Sequence, residues 1–278
     1  MLIGHSKTIQ DLKRLAREKK LAHGYIFFGP AMVGKKLVAL SFANFLESGD
    51  FAASKFLNDG LKIEPDKNRT IGIDAARRLK HFLWQKPTLS SRRTAIINDA
   101  ELLTSEAQNA LLKIAEEPPP STLLILVTSD SDALTKTLSS RLQKIYFSSQ
   151  PSASIEKWLI DEFAVNKKEA EKLAAKSFGK PGLAAALRNK EFQERLKSAE
   201  NLLKLAEGKR RDFIKKLLAD DDFNLERFLD AAIIIIASER LTKKQEVERW
   251  HKFLTLRQEA SYFNLNPKLQ LENLFILN

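Results

Sequence analysis

The sequence predicts an α/β domain built on a mainly parallel sheet of five strands, followed by a chain half made only of helices. Three observations carry this. Short apolar runs alternate with amphipathic stretches through residue 150. The apolar runs stop after Gln150-Pro151, and beyond that point apolar residues recur at helical spacing. Strands separated by helices need crossover connections, which lay the strands parallel.

The elements follow in order. Tyr25–Phe28, Ala95–Ile97, Leu123–Val127 and Ile145–Phe147 are the strand-length runs, rich in Ile, Val, Phe and Tyr, and a weaker fifth strand falls near Leu61–Glu64. Lys35–Glu47, Asp74–Gln85 and Ser105–Glu117 are the intervening helices. Residues 152–190 predict three short helices, with Gly179-Lys180-Pro181-Gly182 punctuating before the last. Residues 191–278 predict four or five longer ones, on spacings such as Leu202, Leu205; Phe213, Leu217; and Phe228, Ala231, Ala232, Ile235. The expected domains are therefore 1–150, 151–190 and 191–278. Ile233–Ile236 is apolar on all sides, as suits a helix buried in a domain core or between subunits.

The chain of 278 residues has no cysteine, which excludes disulfides, thiolate metal sites and cysteine nucleophiles. The first twenty residues hold no apolar core of signal-peptide length, and no apolar run approaches a membrane span, so no membrane contact and a cytoplasmic location are expected. His5, His23, His81 and His251 are scattered without metal-ligand spacing, and Trp84, Trp158 and Trp250 sit in helical patterns that suggest core. The net charge of +11 comes from 22 basic and 15 acidic side chains in residues 1–150 and 24 and 20 in the rest. Such a surplus favours a polyanionic partner, or is simply a basic wet surface.

Gly29-Pro30-Ala31-Met32-Val33-Gly34-Lys35-Lys36 follows an apolar strand and opens a helix, the setting of a phosphate loop. Its backbone N–H groups would wrap phosphate oxygens, and Lys35 would reach the outer ones. Lys36 stands where a Ser or Thr hydroxyl should hold Mg²⁺, and an ammonium cannot ligate a metal. The acidic partner of such a loop should end a neighbouring strand, where Thr94-Ala95-Ile96-Ile97-Asn98-Asp99-Ala100-Glu101 lies. In one register Asn98 takes the metal-side position and Asp99 the water-polarising one. Shifted by one residue, Asp99 is the metal ligand and Ala100 stands where the base belongs. Either register is defective, and two faults at one site argue against efficient hydrolysis.

Asn109-Ala110-Leu111-Leu112-Lys113-Ile114-Ala115-Glu116-Glu117-Pro118-Pro119 resembles the N-A-L-L-K-x-L-E-E-P-P stretch of clamp-loader AAA+ subunits. Leu138-Ser139-Ser140-Arg141-Leu142-Gln143 is similar to that family's S-R-C segment, with Leu142 in place of Cys. Ala22–Pro30 resembles its H-A-Y-L-F-x-G-P stretch ahead of the phosphate loop, Ile71–Leu79 its I-x-I-D-x-I-R-x-L helix start, and Asn264–Glu272 its N-x-N-x-x-L-x-L-E ending. The resemblance implies a RecA-like AAA+ domain, a helical lid and a C-terminal collar that joins subunits into a hetero-oligomeric ring. It implies partners of gamma/tau and delta type, a sliding clamp, and primer–template DNA on which the clamp is placed during replication.

Within that resemblance each residue acquires an expectation. Arg141 becomes an arginine finger supplied in trans, whereas spacing alone would make it a helix cap or a surface partner. Gly29, Gly34, Lys35, Lys36, Asn98, Asp99 and Thr128 line a vestigial nucleotide site, with Thr128 and Ser129 where a polar sensor is kept. Gly182 replaces the lid arginine of the family's ATPases, a third fault. Lys113 faces the ring interior and can touch DNA phosphate, or is solvated or ion-paired. Lys13–Lys20 and Arg92-Arg93 are unranked further candidates for DNA or subunit contact. The zinc module of many relatives is absent from Ser48–Glu64, so no metal is expected, and ATP with Mg²⁺ only weakly. The expected function is a non-hydrolysing loader subunit; an active gamma-like ATPase and a DNA-binding scaffold outside replication are the alternatives.

Overall fold

The computed structural model describes residues 2–53, 57–220, 223–238, 244–262 and 265–276. They form two compact units, Met1–Ala184 and Ala185–Asn278. In the first, α1 (Ser6–Arg17), β1 (Gly24–Phe28), α2 (Lys35–Ser48), β2 (Gly60–Ile63), α3 (Ile73–Leu83), β3 (Arg93–Ile97), α4 (Ser105–Glu116), β4 (Thr122–Thr128), α5 (Lys136–Ser139) and β5 (Gln143–Tyr146) precede α6 (Ser152–Phe163), α7 (Lys167–Lys176) and α8 (Pro181–Ala186).

The five strands lie in the order β2-β3-β4-β1-β5, every pair parallel. The central strands are buried throughout because helices cover both faces, which is why they are continuous apolar runs instead of alternating ones. Successive residues still separate by face. Ile26, Ala95, Ile97, Leu124 and Leu126 join Leu79 and Leu83 of α3 and Leu111 and Ile114 of α4 in one core. Tyr25, Phe27, Ile96, Leu123, Ile125 and Val127 join Leu12 of α1 and Val38 and Phe42 of α2 in the other.

Three expectations are corrected. The last strand was expected at Ile145–Phe147, but β5 pairs Gln143–Tyr146 with β1 at the sheet edge. Phe147 leaves the ladder after its N–H meets Phe28 O at 2.8 Å, and its ring is buried against Phe27 and His5. Apolarity found the buried residue, not the edge strand. Trp84 is no core residue: it caps the C-terminus of α3 and is 59% exposed. Arg92 and Arg93 are not free for a partner. Arg92 donates to Leu21 O at 3.3 Å, Ala22 O at 3.4 Å and Thr122 O at 3.0 Å, tying strand starts together. Arg93 is buried, donates to Lys86 O and stacks over Phe82.

Beside Arg93, Asp59 anchors the loop into β3. Its carboxylate, 2% exposed, accepts from Thr88 N at 2.8 Å, Leu89 N at 2.6 Å, Ser90 N at 2.8 Å and the Thr88 hydroxyl at 2.9 Å. Burial pushes its pKa up, but the N–H donors of Ser90, Thr88 and Leu89 outweigh that and hold it at about 2.

The second unit comprises α9 (Lys190–Lys204), α10 (Glu207–Leu218), α11 (Leu225–Ser238), α12 (Lys244–Tyr262) and α13 (Pro267–Phe275) among the described residues. Phe228, Leu229, Ala231, Ala232 and Ile236 of α11 share a core with Leu202 of α9, Phe253 of α12 and Phe275 of α13. The all-round apolarity of α11 is therefore satisfied largely inside this unit. Asn266 caps α13 through Leu269 N, with Pro267 opening the helix. No helix among the described residues is long and apolar enough to cross a membrane.

Candidate nucleotide site and interface arginine

The site lies past the carboxyl ends of β1, β3 and β4, where open parallel sheets place their ligands. The strand carrying the acidic segment, β3, is not the direct neighbour of the phosphate-loop strand; β4 lies between them.

The loop turns sharply because Gly29 has φ 131° and Gly34 φ 108°, with Met32 also left-handed at φ 63°. A Cβ on Gly29 would lie 2.3 Å from Phe147 O, so only glycine fits there. Gly34 precedes α2 with no side-chain cap on the helix. Lys35 is 7% exposed and folds back, its Nζ donating to Gly29 O and Pro30 O at 2.6 Å each. Burial lowers its pKa from the usual lysine range; Glu101 and Asp99 pull it up, and Lys180 of the lid pushes it down. Lys36 takes a different direction and pairs with Glu64, just past β2, at 2.5 Å, with Lys62 on the same oxygen at 3.3 Å. His5 braces the loop through Val33 O at 3.0 Å.

At the end of β3, Asn98 is buried, donates its backbone N–H to Ile63 O at 3.0 Å, and donates its side-chain amide to Asp99 Oδ2 at 2.9 Å. Asp99 turns through a left-handed conformation at φ 51°. Burial raises its pKa, Glu101 raises it further, and Lys36 lowers it. Its carboxylate accepts the Asn98 amide, while Ala100, wholly buried, belongs to the core. In either register the set is incomplete, since Asn98 offers an amide where a carboxylate belongs and Ala100 carries no polar group.

Thr128 ends β4 with its hydroxyl spent on Asp130 O at 2.7 Å. Ser129 instead binds Glu101 Oε1 through both its hydroxyl and its N–H. Glu101 Oε2 is buried with no hydrogen-bond partner among the described residues. The lid reaches this site through α8: Gly182 N–H donates to Met32 O at 2.9 Å. A Cβ on Gly182 would stand 2.9 Å from the same oxygen, so the lid helix is seated on the loop backbone itself.

Arg141 follows α5. Its Nη1 donates to Thr137 O at 2.5 Å, and its Nη2 pairs with Glu116 Oε1 at 2.6 Å. Both contacts expected from spacing alone are present, the helix cap and the surface pair. The guanidinium remains 36% exposed at its side chain. Lys113 on α4 is exposed, with no ion pair among the described residues. The Lys13–Lys20 cluster is partly spent inside the unit: Lys13 sits over Phe45 and Phe51, Arg14 pairs with Asp11, and Lys20 with Glu18. The described residues hold no group of side chains suited to a metal ion.

Sequence reasoning missed Glu64, Glu101, His5, Glu116 and Gln108. Buried Gln108 joins the start of α4 to α5, accepting from Thr135 N at 2.8 Å and donating to Leu103 O and Ala133 O at 3.3 Å each. Lone charged, imidazole and amide residues give no periodic signal. Only the partner brought alongside by the fold gives them a purpose.

The family model described as DNA polymerase III, delta subunit, matches residues 4–151. The chain is 35% identical over 130 residues to DNA polymerase III subunit delta' of Escherichia coli, covering 46% of this chain and 39% of that protein. It is 32% identical over 202 residues to the delta' subunit of Pseudomonas aeruginosa, covering 66% and 61%. The chain thus spans less than two thirds of the length of these curated relatives. Among solved structures, a DNA polymerase III gamma subunit-related protein of Thermotoga maritima superposes with a TM-score of 0.62 at 22% identity, over 96% of this chain and 97% of that one, which establishes likeness of fold. With a family match over more than half of its length and a five-stranded parallel sheet followed by helices, the chain belongs to the DNA polymerase III delta-subunit family of clamp-loader proteins and is delta-prime-like.

Proposed function

We propose that this chain is a non-hydrolysing subunit of a clamp loader that places a sliding clamp on primed DNA in the cytoplasm. It completes a neighbouring subunit's nucleotide site with Arg141. Its own phosphate loop is vestigial, its neighbours are of gamma/tau and delta type, and its helical unit is the collar through which they join. The domains are 1–150, 151–190 and 191–278, and Lys113 approaches the DNA backbone.

The observation that carries this reading is the Lys36–Glu64 ion pair. It commits the side chain that stands in place of the Ser or Thr hydroxyl to a carboxylate just past β2, so no metal ligand is offered from that position. Three other features agree with it. Asp99 and Glu101 supply negative charge beside Lys35, buried Ala100 cannot polarise water, and Gly182 leaves no lid arginine to meet a γ-phosphate. One feature favours the gamma-like alternative: the phosphate-loop lysine, Lys35, is present.

ATP titration of the full chain with and without Mg²⁺ separates the two. Binding in the millimolar range, insensitive to Mg²⁺, is the expected result. Micromolar affinity that requires Mg²⁺ would transfer the chain to the active class. Lys36→Thr removes the resident cation and restores a hydroxyl ligand, so its ATP affinity is expected to gain a Mg²⁺ dependence of about tenfold.

A further inference from the structure

Arg141 is a long side chain at the surface, and an unrestrained guanidinium there would sample many rotamers. It does not do so. Two of its nitrogens are committed to two different elements: Nη1 to Thr137 O of α5 at 2.5 Å, and Nη2 to Glu116 Oε1 of α4 at 2.6 Å. A guanidinium has five N–H donors; Nη1 also reaches Ser140 Oγ at 3.5 Å, so Nε–H and the second hydrogen of Nη2 stay uncommitted among the described residues. The platform beneath is fixed as well, because Gln108 ties the start of α4 to the first turn of α5 through Thr135 N–H.

We infer that Glu116 is a positioning residue for Arg141, holding its guanidinium between α4 and the end of α5 with the remaining N–H groups left for the ligand of a neighbouring subunit. This rests on the arginine-finger reading above and names the residue that sets its aim. The carboxylate acts as second-layer groups do at metal and phosphate sites, fixing orientation and leaving the outer donors free. The pair is half-exposed in the free chain, with side-chain exposures of 36% and 48%, so it adds little to folding. Covered by a neighbour, it lies in a lower dielectric and holds the arginine more firmly.

The test is single-turnover ATP hydrolysis by the reconstituted clamp loader carrying Glu116→Ala, Glu116→Gln, Arg141→Ala or Glu116→Ala with Arg141→Ala. Glu116→Ala is expected to lower kcat about three- to tenfold with KM unchanged. Glu116→Gln, which keeps an acceptor oxygen, is expected to recover most of that rate. In the Arg141→Ala background, Glu116→Ala is expected to do nothing further, since the group it aims is gone. An equal loss in that background overturns the inference, as does a rate that falls only in step with the melting temperature. Full activity of Glu116→Ala beside a crippled Arg141→Ala overturns the positioning role alone. Full activity of Arg141→Ala overturns the finger and its positioning together.

Discussion

Arg141→Ala is expected to slow hydrolysis by a factor on the order of 10³ or more at the one subunit interface that we propose this arginine completes. A finger acts on charge that develops only as the phosphoryl group transfers, so the loss belongs in kcat and not in ATP affinity. Steady-state turnover of the whole assembly falls by that interface's share, and single-turnover measurement exposes the silent site. The variant itself stays folded. Its lost contacts are a half-exposed pair with Glu116 and a cap on Thr137, together about 1 kcal/mol or less. Wild-type hydrolysis in an assembled mutant complex, shown intact by sedimentation, would sink the finger.

Asp59→Ala is the substitution expected to cost the most stability, about 3 kcal/mol, because it removes the acceptor for three loop N–H groups and a hydroxyl at once. For a unit of this size that lowers the melting temperature by about 6–12 °C. The effect has a defined pH window. With a folded pKa of about 2 against the ordinary 3.8, the ionised carboxylate stabilises the fold at every pH above 3.8. That contribution, about 2–3 kcal/mol, is lost as the pH falls from 3.8 through 2. The gap in stability between wild type and Asp59→Ala should therefore narrow across that interval. A gap that stays constant from pH 6 to about pH 2 would show that something other than the charge holds the loop.

The fold was legible because its strands are buried on both faces. Tyr25–Phe28 and Leu123–Val127 announce themselves as apolar runs, and the observed β1 and β4 extend them by one or two residues at their ends. At the edge the same signal fails. In β5, Gln143 and Lys144 face solvent on a strand with one neighbour, so apolarity slid the expected strand onto Phe147. The phosphate loop was legible from glycine spacing, since only glycine tolerates φ values such as that of Gly29. What Lys36 does was not legible. Its partner Glu64 is 28 residues away, just past the edge strand β2. Likewise Arg92 and Arg93 resemble a basic surface cluster until the fold supplies carbonyls and a ring for them. Charge can be counted along a chain, but its use depends on which strand lies next to which.

The contact between Gly182 and Met32 O sets what position 182 can carry. A lid helix resting on the loop at 2.9 Å leaves no room even for a methyl group. A long cationic side chain at this position would pry the helix off the loop before it could reach a phosphate. Any side chain at residue 182 is therefore a wedge between helix and loop before it is a ligand for anything.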